Sequence, residues 1–157
     1  AAALGRIRER LGEDAAVGTD LVTGFPEESE EEFENTRARL GDLALSYLHV
    51  FPYSTRASTS AARRWKALPD AVVHGRSLRM REFDGQLRDR YRRRFVGRDA
   101  KVLFEGTRDE ATGRWTGYSE HYLPVACQAS GGEDLRGSIR VARVESAGPD
   151  GLLGVLS

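Results

Sequence analysis

The sequence of 157 residues contains one cysteine, Cys127, and three histidines, His49, His74 and His121. A single thiol excludes an internal disulfide and any all-cysteine metal or cluster site supplied by this chain alone. The histidines are too scattered to propose a triad with a particular serine. Dinucleotide-binding GxGxxG loops, Walker loops, HExxH motifs and paired-cysteine motifs are also missing. The sequence therefore predicts no catalytic residue and no metal ligand of its own.

Long hydrophobic runs are missing as well. No apolar stretch approaches the roughly 20 residues of a membrane span, and the first residues lack the basic and apolar regions of a signal peptide. Hydrophobic residues nevertheless make up 39% of the chain, enough for a packed core. These features predict a soluble, cytoplasmic, globular protein that contacts no membrane. The sequence also opens without methionine inside an apparent amphipathic helix, so we expect a fragment whose domain begins upstream.

The net charge excludes nothing, because 24 Lys and Arg residues balance 24 Asp and Glu residues. The distribution is uneven, with an acidic block over 27–34 and a basic block over 76–98 that holds nine arginines. We interpret the acidic block as a mostly solvated helix face. For the basic block, contact with a polyanion and simple solubility remain equally open.

A strand–helix–strand unit is predicted in the first half. Its elements, in chain order, are a helix over 3–12, a strand over 15–24, a helix over 30–40 and a strand over 43–51. Ser29 and Glu32 form a capping box at the start of the second helix. Two strands joined by a helix over about thirty residues should be parallel, with a right-handed crossover.

The stretch from His49 to Ala62 is a candidate ligand site. An apolar run ends at Phe51, and Pro52 cannot donate a hydrogen bond to a neighbouring strand, so regular pairing should stop there. The hydroxyl-rich segment that follows would project from the carboxyl end of a strand, where α/β sheets bind ligands. The candidate residues are Tyr53, Ser54, Arg56 and Thr59. An ordinary polar loop remains an equally open interpretation.

The second half of the sequence predicts a helix followed by a β-sheet. A helical pattern runs from Asp70 to about Phe95, as one helix or as two with a break at Gly75 or Gly85. Five short strands after Arg98 predict a small antiparallel barrel, a fold that binds nucleic acid when basic and aromatic residues share a face. The candidates for such a face are Lys101, Arg114, Trp115, Tyr118, His121 and Tyr122, unless Trp115 and a tyrosine belong to the core.

Three motifs carry a family resemblance. Residues 19–33 read TDLVTGFPEESEEEF and resemble the TDxIxGFPGETEEEF run of the radical S-adenosylmethionine methylthiotransferases. Residues 49–62, HVFPYSTRASTSAA, resemble the HVFPYSxRxGTxAA stretch of the same family. Residues 117–125, GYSEHYLPV, resemble the GYTENYLPV run of its TRAM domain. The resemblance covers nearly the whole chain, in family order.

The resemblance implies a fold and an activity. The fold class would be α/β plus all-β: the carboxyl-terminal part of a radical SAM (β/α) barrel over 1–69, a basic connecting helical region over 70–97, and a TRAM-like antiparallel β-barrel over 98–157. The parent enzyme would add a methylthio group to an RNA base with S-adenosylmethionine and two 4Fe-4S clusters. The cluster ligands would lie in a missing amino-terminal half, so this chain alone should be inactive.

Among the siblings, the motifs look most like the type that modifies N6-threonylcarbamoyladenosine beside the tRNA anticodon. The isopentenyladenosine-modifying type is second, and the type that modifies a ribosomal protein is third. The expected partner is therefore the tRNA anticodon stem-loop. A stand-alone RNA-binding module without catalysis and a truncated, poorly stable product remain as alternatives.

The resemblance also assigns site residues. Those implied to border S-adenosylmethionine are Val22, Gly24, Phe25, Val50 and Phe51. Those implied to face the substrate are Tyr53, Ser54, Arg56 and Thr59. For the RNA-holding part, we expect phosphate contacts from Arg92, Arg93 and Arg94, and sugar or base contacts from Tyr118, His121 and Tyr122. The sequence departs from the family pattern at Glu27 and Ser58, where the family has glycine.

Overall fold

The computed structural model describes residues 2–129 and 133–156. Its helices are α1 (Ala2–Leu11), α2 (Glu30–Asp42), α3 (Ser60–Arg64) and α4 (Asp70–Arg93). Its strands are β1 (Gly18–Thr23), β2 (Tyr47–Pro52), β3 (Asp99–Arg108), β4 (Trp115–Ser119), β5 (Pro124–Gln128), β6 (Ile139–Gly148) and β7 (Gly151–Leu156). The chain divides into two compact units, with the boundary between Arg88 and Asp89 inside α4. No helix in the described ranges is long and apolar enough to cross a bilayer.

The first unit contains the predicted βαβ arrangement. β1 pairs in parallel with β2, and the last pair in the register joins Thr23 to Pro52, as expected for a proline that ends regular pairing. The capping box of α2 is confirmed in both directions, because Ser29 Oγ accepts from the Glu32 amide and Glu32 accepts from the Ser29 amide. β2 begins four residues later than predicted, because α2 continues to Asp42 and a turn follows it.

One face of the β1–β2 sheet packs on helices. The core of this unit comprises Val17, Phe33, Leu40, Leu45, Leu48, Met80 and Leu87, contributed by the sheet, α2, α4 and their connections. Strand residues alternate between the two faces, so Leu48 is buried whereas Val22 and Phe51 lie on the opposite face and are exposed. On that opposite face the side chains of Asp20, Val22, His49 and Phe51 are exposed.

α4 is one continuous helix, which decides between the two predicted alternatives. Gly75 and Gly85 lie inside it, and nothing lies within 4 Å of the position a Cβ would take at either residue. The apolar residues that recur along this helix include Leu78, Met80 and Leu87. Met80 and Leu87 enter the core, but Leu78 does not, because it is 46% exposed. The apolar pattern drifts around the helix, so one of its positions faces solvent.

The second unit is a closed five-stranded barrel with strand order β3-β4-β5-β7-β6. Five strands after the basic helix were predicted, and this part of the expectation is confirmed. The expectation of a fully antiparallel barrel is wrong at one pairing, because β5 and β7 run parallel. Strand direction cannot alternate at every pairing around a closed ring of five strands, so one pair must be parallel.

The barrel encloses its own core. The buried side chains include Tyr91, Phe95, Val102, Phe104, Trp115, Val125, Cys127, Leu135, Val144 and Leu152. Trp115 is 4% exposed, so the interpretation of this aromatic as core is correct and it does not belong to a surface for nucleic acid. Arg108 covers its ring, with the guanidinium carbon 4.3 Å from the ring centroid.

Candidate functional site

An apolar surface lies where β1 and β2 end. Val22 and Phe51 are neighbours in the strand register, and they are 50% and 51% exposed although they lie in regular strands. Phe25, in the turn after β1, lies edge-on to Tyr53, with ring centroids 5.4 Å apart. The structure thus places each of these four predicted residues on or beside the carboxyl end of the small parallel sheet, the usual ligand position in α/β folds.

Trp65 extends this aromatic group and was missed as a site residue. Its ring centroid lies 5.8 Å from that of Phe25, and the residue is 42% exposed. The available signal was a tryptophan among basic residues, Arg63, Arg64 and Lys66, after the hydroxyl-rich loop. Phe25 therefore has aromatic neighbours at Tyr53 and at Trp65.

The turn between β1 and α2 has two left-handed residues. Gly24 has φ of +74°, and a Cβ there would lie 2.8 Å from Val73 of α4, so packing and conformation both require glycine. Glu27 has φ of 64°, a conformation that costs a side-chain-bearing residue about 1–2 kcal/mol. Glycine, the residue that the family resemblance gives for this position, would adopt this backbone conformation without that strain.

A buried arginine holds this turn. The Arg76 guanidinium donates to the Glu28 carbonyl at 2.7 Å and to the Glu28 carboxylate at 2.8 Å, and its side chain is 5% exposed. The same carboxylate accepts from the Gly24 amide at 3.0 Å. Arg76 belongs to the basic block over 76–98 but is buried, so for this residue both interpretations, polyanion contact and solubility, are wrong.

The acidic block supplies counter-charges to α4. Glu30 pairs with Arg79 at 2.5 Å and with Arg76 at 3.3 Å, and Glu34 also pairs with Arg79. The hydrogen bond from Arg79 lowers the pKa of Glu30 below its ordinary value. The expectation of a solvated acidic face is therefore only partly right, because these glutamates are accessible to water and also join α2 to α4.

The hydroxyl-rich loop presents Arg56 to solvent. The Arg56 guanidinium has no hydrogen-bond or ion-pair partner in the described ranges, 2–129 and 133–156. Thr59 is the N-cap of α3: its hydroxyl accepts from the Ala62 amide at 3.3 Å and donates to the Arg56 carbonyl at 2.8 Å. Ser54 is exposed. Arg56 and Ser54 can meet a ligand directly, whereas the Thr59 hydroxyl is engaged in ordering the loop.

The three arginines at the end of α4 have different surroundings. Arg93 pairs with Asp89 at 2.7 Å, and the Arg94 guanidinium carbon lies 5.9 Å from the Tyr91 ring centroid. The Nε atom of Arg92 is buried, and no described residue accepts a hydrogen bond from it. Phosphate contacts by these residues stay a prediction, and an anion would compete with Asp89 for Arg93.

The barrel surface carries a stacked pair of tyrosines. The Tyr118 and Tyr122 rings are stacked, with centroids 5.0 Å apart and planes at 26°. Tyr122 is 82% exposed and has φ of 59°, so a tight turn projects its ring outward. His121 instead lies against the buried ring of Phe95, with centroids 4.7 Å apart. The structure brings the two tyrosines together and directs His121 toward the core.

Two apolar residues extend the tyrosine pair and were missed. Leu103 of β3 is the register partner of both Tyr118 and Ile139, so the three side chains form a row across adjacent strands. Leu103 is 45% exposed and Ile139 is 65% exposed. The signal was available in the alternation of β3, where Leu103 occupies an outward position between the buried residues Val102 and Phe104.

The residues present fit an adenosyl group but not a metal cluster. The exposed side chains of Val22, Phe25 and Phe51 offer an apolar surface of the kind that contacts adenine rings in binding sites. Cys127 lies inside the barrel, where burial raises the pKa of its thiol to about 11 and disfavours the thiolate that a metal needs. The described residues contain no group of three or more side chains placed to hold a metal ion.

Comparison with known proteins identifies relatives. No protein-family model matches the chain. It is 35% identical over 148 residues, 88% of this chain, to the tRNA-2-methylthio-N(6)-dimethylallyladenosine synthase of Mycolicibacterium gilvum, of which it covers 28%. It is 33% identical over 137 residues, 85% of this chain, to the threonylcarbamoyladenosine tRNA methylthiotransferase MtaB of Bacillus subtilis, of which it covers 30%. A match to the MtaB protein of Aquifex aeolicus is 35% identical over 89 residues, covering 57% of this chain and 22% of that protein. The chain spans less than a third of the length of these relatives, and it belongs to the family of the tRNA methylthiotransferases.

Proposed function

We propose that this chain is the carboxyl-terminal part of a radical S-adenosylmethionine tRNA methylthiotransferase of the cytoplasm. It would provide one wall of the cofactor site and an RNA-holding barrel. The observation that carries the proposal is the exposed pair Val22–Phe51 in regular strands, in a chain whose relatives are named as tRNA methylthiotransferases. The two 4Fe-4S clusters would be held by an amino-terminal half, because this sequence has one cysteine.

The two edges of the β1–β2 sheet support its interpretation as part of a larger (β/α) barrel. At the outer edge of β2, the Leu48 amide donates to the Asp84 carboxylate at 2.6 Å, and Arg88 donates to the Leu48 carbonyl at 3.4 Å. β1 has no strand on its other side among the described residues. Further parallel strands would therefore add beside β1, with β2 as the last strand of the barrel.

Arg56 supports a proposal for the substrate. The threonylcarbamoyl group ends in a carboxylate, whereas the dimethylallyl group is apolar. A solvent-exposed guanidinium without a protein partner suits the carboxylate, through its forked donors. We therefore propose threonylcarbamoyladenosine beside the tRNA anticodon as the substrate. Dimethylallyladenosine is the second candidate, because a relative that is named as the synthase of its methylthio derivative matches 88% of the chain.

The barrel would bind the tRNA. Tyr118 and Tyr122 present a stacked aromatic surface, and Arg92 to Arg94 precede the barrel in the same unit. A stand-alone RNA-binding module is the rival function, favoured by the closed barrel with its own core. The proposed organisation remains 1–69 for the barrel part, 70–97 for the basic helical region and 98–157 for the TRAM-like domain.

Nucleoside analysis tests the proposal. The complete reading frame that contains this chain should be expressed in a bacterium lacking its own methylthiotransferases, and its tRNA digested and analysed by mass spectrometry. We expect 2-methylthio-N6-threonylcarbamoyladenosine. Methylthiolation of dimethylallyladenosine alone would support the second candidate. tRNA binding by the chain without any methylthiolated nucleoside would support the RNA-binding module.

A further inference from the structure

Three residues of α4 contact the strand end and turn proposed to border the cofactor. The Ser77 hydroxyl lies 2.7 Å from the Thr23 hydroxyl, and both residues are 1% exposed. Val73 fills the space beside Gly24, where a Cβ would lie 2.8 Å from its side chain. Arg76 binds the carboxylate that accepts from the Gly24 amide. One helical segment therefore holds the turn by a hydroxyl pair, an apolar contact and an ion pair.

The turn needs such support because its conformation is unfavourable in isolation. Glu27 has a left-handed backbone, with φ of 64°, which an unsupported glutamate avoids. Among the described residues, the Glu27 carboxylate makes a single long hydrogen bond, which it accepts from the Lys66 amide at 3.5 Å. An isolated turn would populate several conformations, and interactions made with only one of them shift the population toward it.

We propose that Arg76 and Ser77 are positioning residues of the cofactor site, because they fix the turn at Gly24 and Phe25 in the conformation that binds an adenosyl group. This inference rests on the proposed function. It adds Arg76 and Ser77, which lie outside the three family motifs, to the residues that form the proposed cofactor site. Neither residue would touch the ligand. Arg76 directs its terminal donors to Glu28 and Glu30, and Ser77 is buried against Thr23.

The test uses this chain, labelled for amide nuclear magnetic resonance, and S-adenosylhomocysteine as the probe. The variants are Arg76→Gln, Arg76→Lys and Ser77→Ala. Arg81→Gln is the matched control, since Arg81 is an exposed arginine on the same helix with no partner among the described residues. The dissociation constant is taken from the amide shifts of Phe25 and Phe51, and hydrogen exchange is followed at the Gly24 amide.

A positioning role predicts a change in affinity, not only in stability. If removing one of these interactions leaves the binding conformation in roughly one molecule in ten, the dissociation constant rises about tenfold. We expect this rise and faster Gly24 exchange for Arg76→Gln and Ser77→Ala, a smaller rise for Arg76→Lys, and no change for Arg81→Gln. A merely structural role would lower the melting temperature and leave affinity unchanged below it.

The outcomes distinguish a failure of the positioning role from a failure of the proposed cofactor site. If the unmodified chain binds the probe and both Arg76→Gln and Ser77→Ala bind it equally well, the positioning role is overturned and the cofactor site stands. If the unmodified chain shows no probe-dependent shifts, the cofactor site is overturned, and the positioning role with it. Should Arg76→Gln fail to fold by circular dichroism, Ser77→Ala and Arg76→Lys decide the question.

Discussion

The backbone amide of Leu48 donates a 2.6 Å hydrogen bond to the carboxylate of Asp84, 36 residues later in the chain. A side chain thus takes the place of a neighbouring strand at the outer edge of β2. Exposed strand edges invite pairing with other chains, and proteins commonly block them with charged or covering elements. Arg88 reinforces the block, because it pairs with Asp84 at 2.8 Å and reaches the Leu48 carbonyl.

We predict that Asp84→Ala destabilises the first unit by about 1–3 kcal/mol, because it leaves a partly buried amide without its acceptor. Urea unfolding followed by circular dichroism measures this. Asp89→Ala is the matched control, since Asp89 also pairs with an arginine four residues later but is more exposed, and such a pair contributes about 0.3–0.5 kcal/mol. Equal effects of the two substitutions would contradict the edge-blocking role of Asp84.

Local signals explain the parts of the fold that the sequence predicted. The capping box of Ser29 and Glu32 depends on residues three apart, and each strand of the barrel has its own alternation of apolar residues. The carboxyl-end position of Tyr53 followed from Pro52, which ends the strand pairing. These features require no knowledge of distant parts of the chain, so a single sequence is sufficient to predict them.

Interactions between distant residues explain what the sequence did not predict. Arg76 and Glu28 are 48 residues apart and form a partly buried ion pair. In the sequence they belong to separate basic and acidic blocks, so the charge pattern alone did not predict that they pair. The parallel pairing of β5 and β7 follows from barrel closure, which no single strand signals. The apolar row across Tyr118, Leu103 and Ile139 depends on the register of three strands. Each of these features depends on the tertiary arrangement.

We predict that Arg56→Ala in the complete enzyme reduces methylthiolation of threonylcarbamoyladenosine about tenfold or more, while its melting temperature stays unchanged. A charge-assisted hydrogen bond to a substrate carboxylate is worth about 1.5–3 kcal/mol, whereas an exposed arginine without a protein partner adds little to stability. Nucleoside analysis and thermal melting are measured side by side. Arg64→Ala, another exposed arginine nearby without a described partner, is the control. Unchanged methylthiolation in Arg56→Ala would remove Arg56 from the site.

The buried thiol makes the barrel sensitive to high pH. Cys127 is 0% exposed, and burial raises the pKa of its thiol from 9.0 to about 11. Between these values the unfolded chain has lost the thiol proton and the folded chain retains it, so the free energy of unfolding falls as the pH rises. We predict a steeper loss of stability over this window in the parent than in Cys127→Ala, measured by urea unfolding at each pH. Tyrosine ionisation affects both proteins equally, and parallel pH profiles would contradict the prediction.

The final prediction concerns tRNA binding by this chain, measured by fluorescence anisotropy at several salt concentrations. Stacking and phosphate binding respond differently to salt, because only phosphate binding releases counterions. Tyr122→Ala should weaken binding by about 1–3 kcal/mol, the value of one base stacked on an aromatic ring, and leave the salt dependence nearly unchanged.

Replacing Arg92, Arg93 and Arg94 together by glutamine should instead flatten the plot of log affinity against log salt. Its slope should decrease by about 1 for each phosphate that the variant no longer neutralises. Arg93 should contribute less than a full unit to this decrease in slope, because it is already paired with Asp89 and would neutralise a phosphate only in part. Tyr122→Phe, which keeps the exposed ring, is the control and should bind like the parent. If the chain is folded by circular dichroism and still binds no tRNA at low salt, the arginines serve only solubility and ion pairing, and the RNA-holding role of the barrel is wrong.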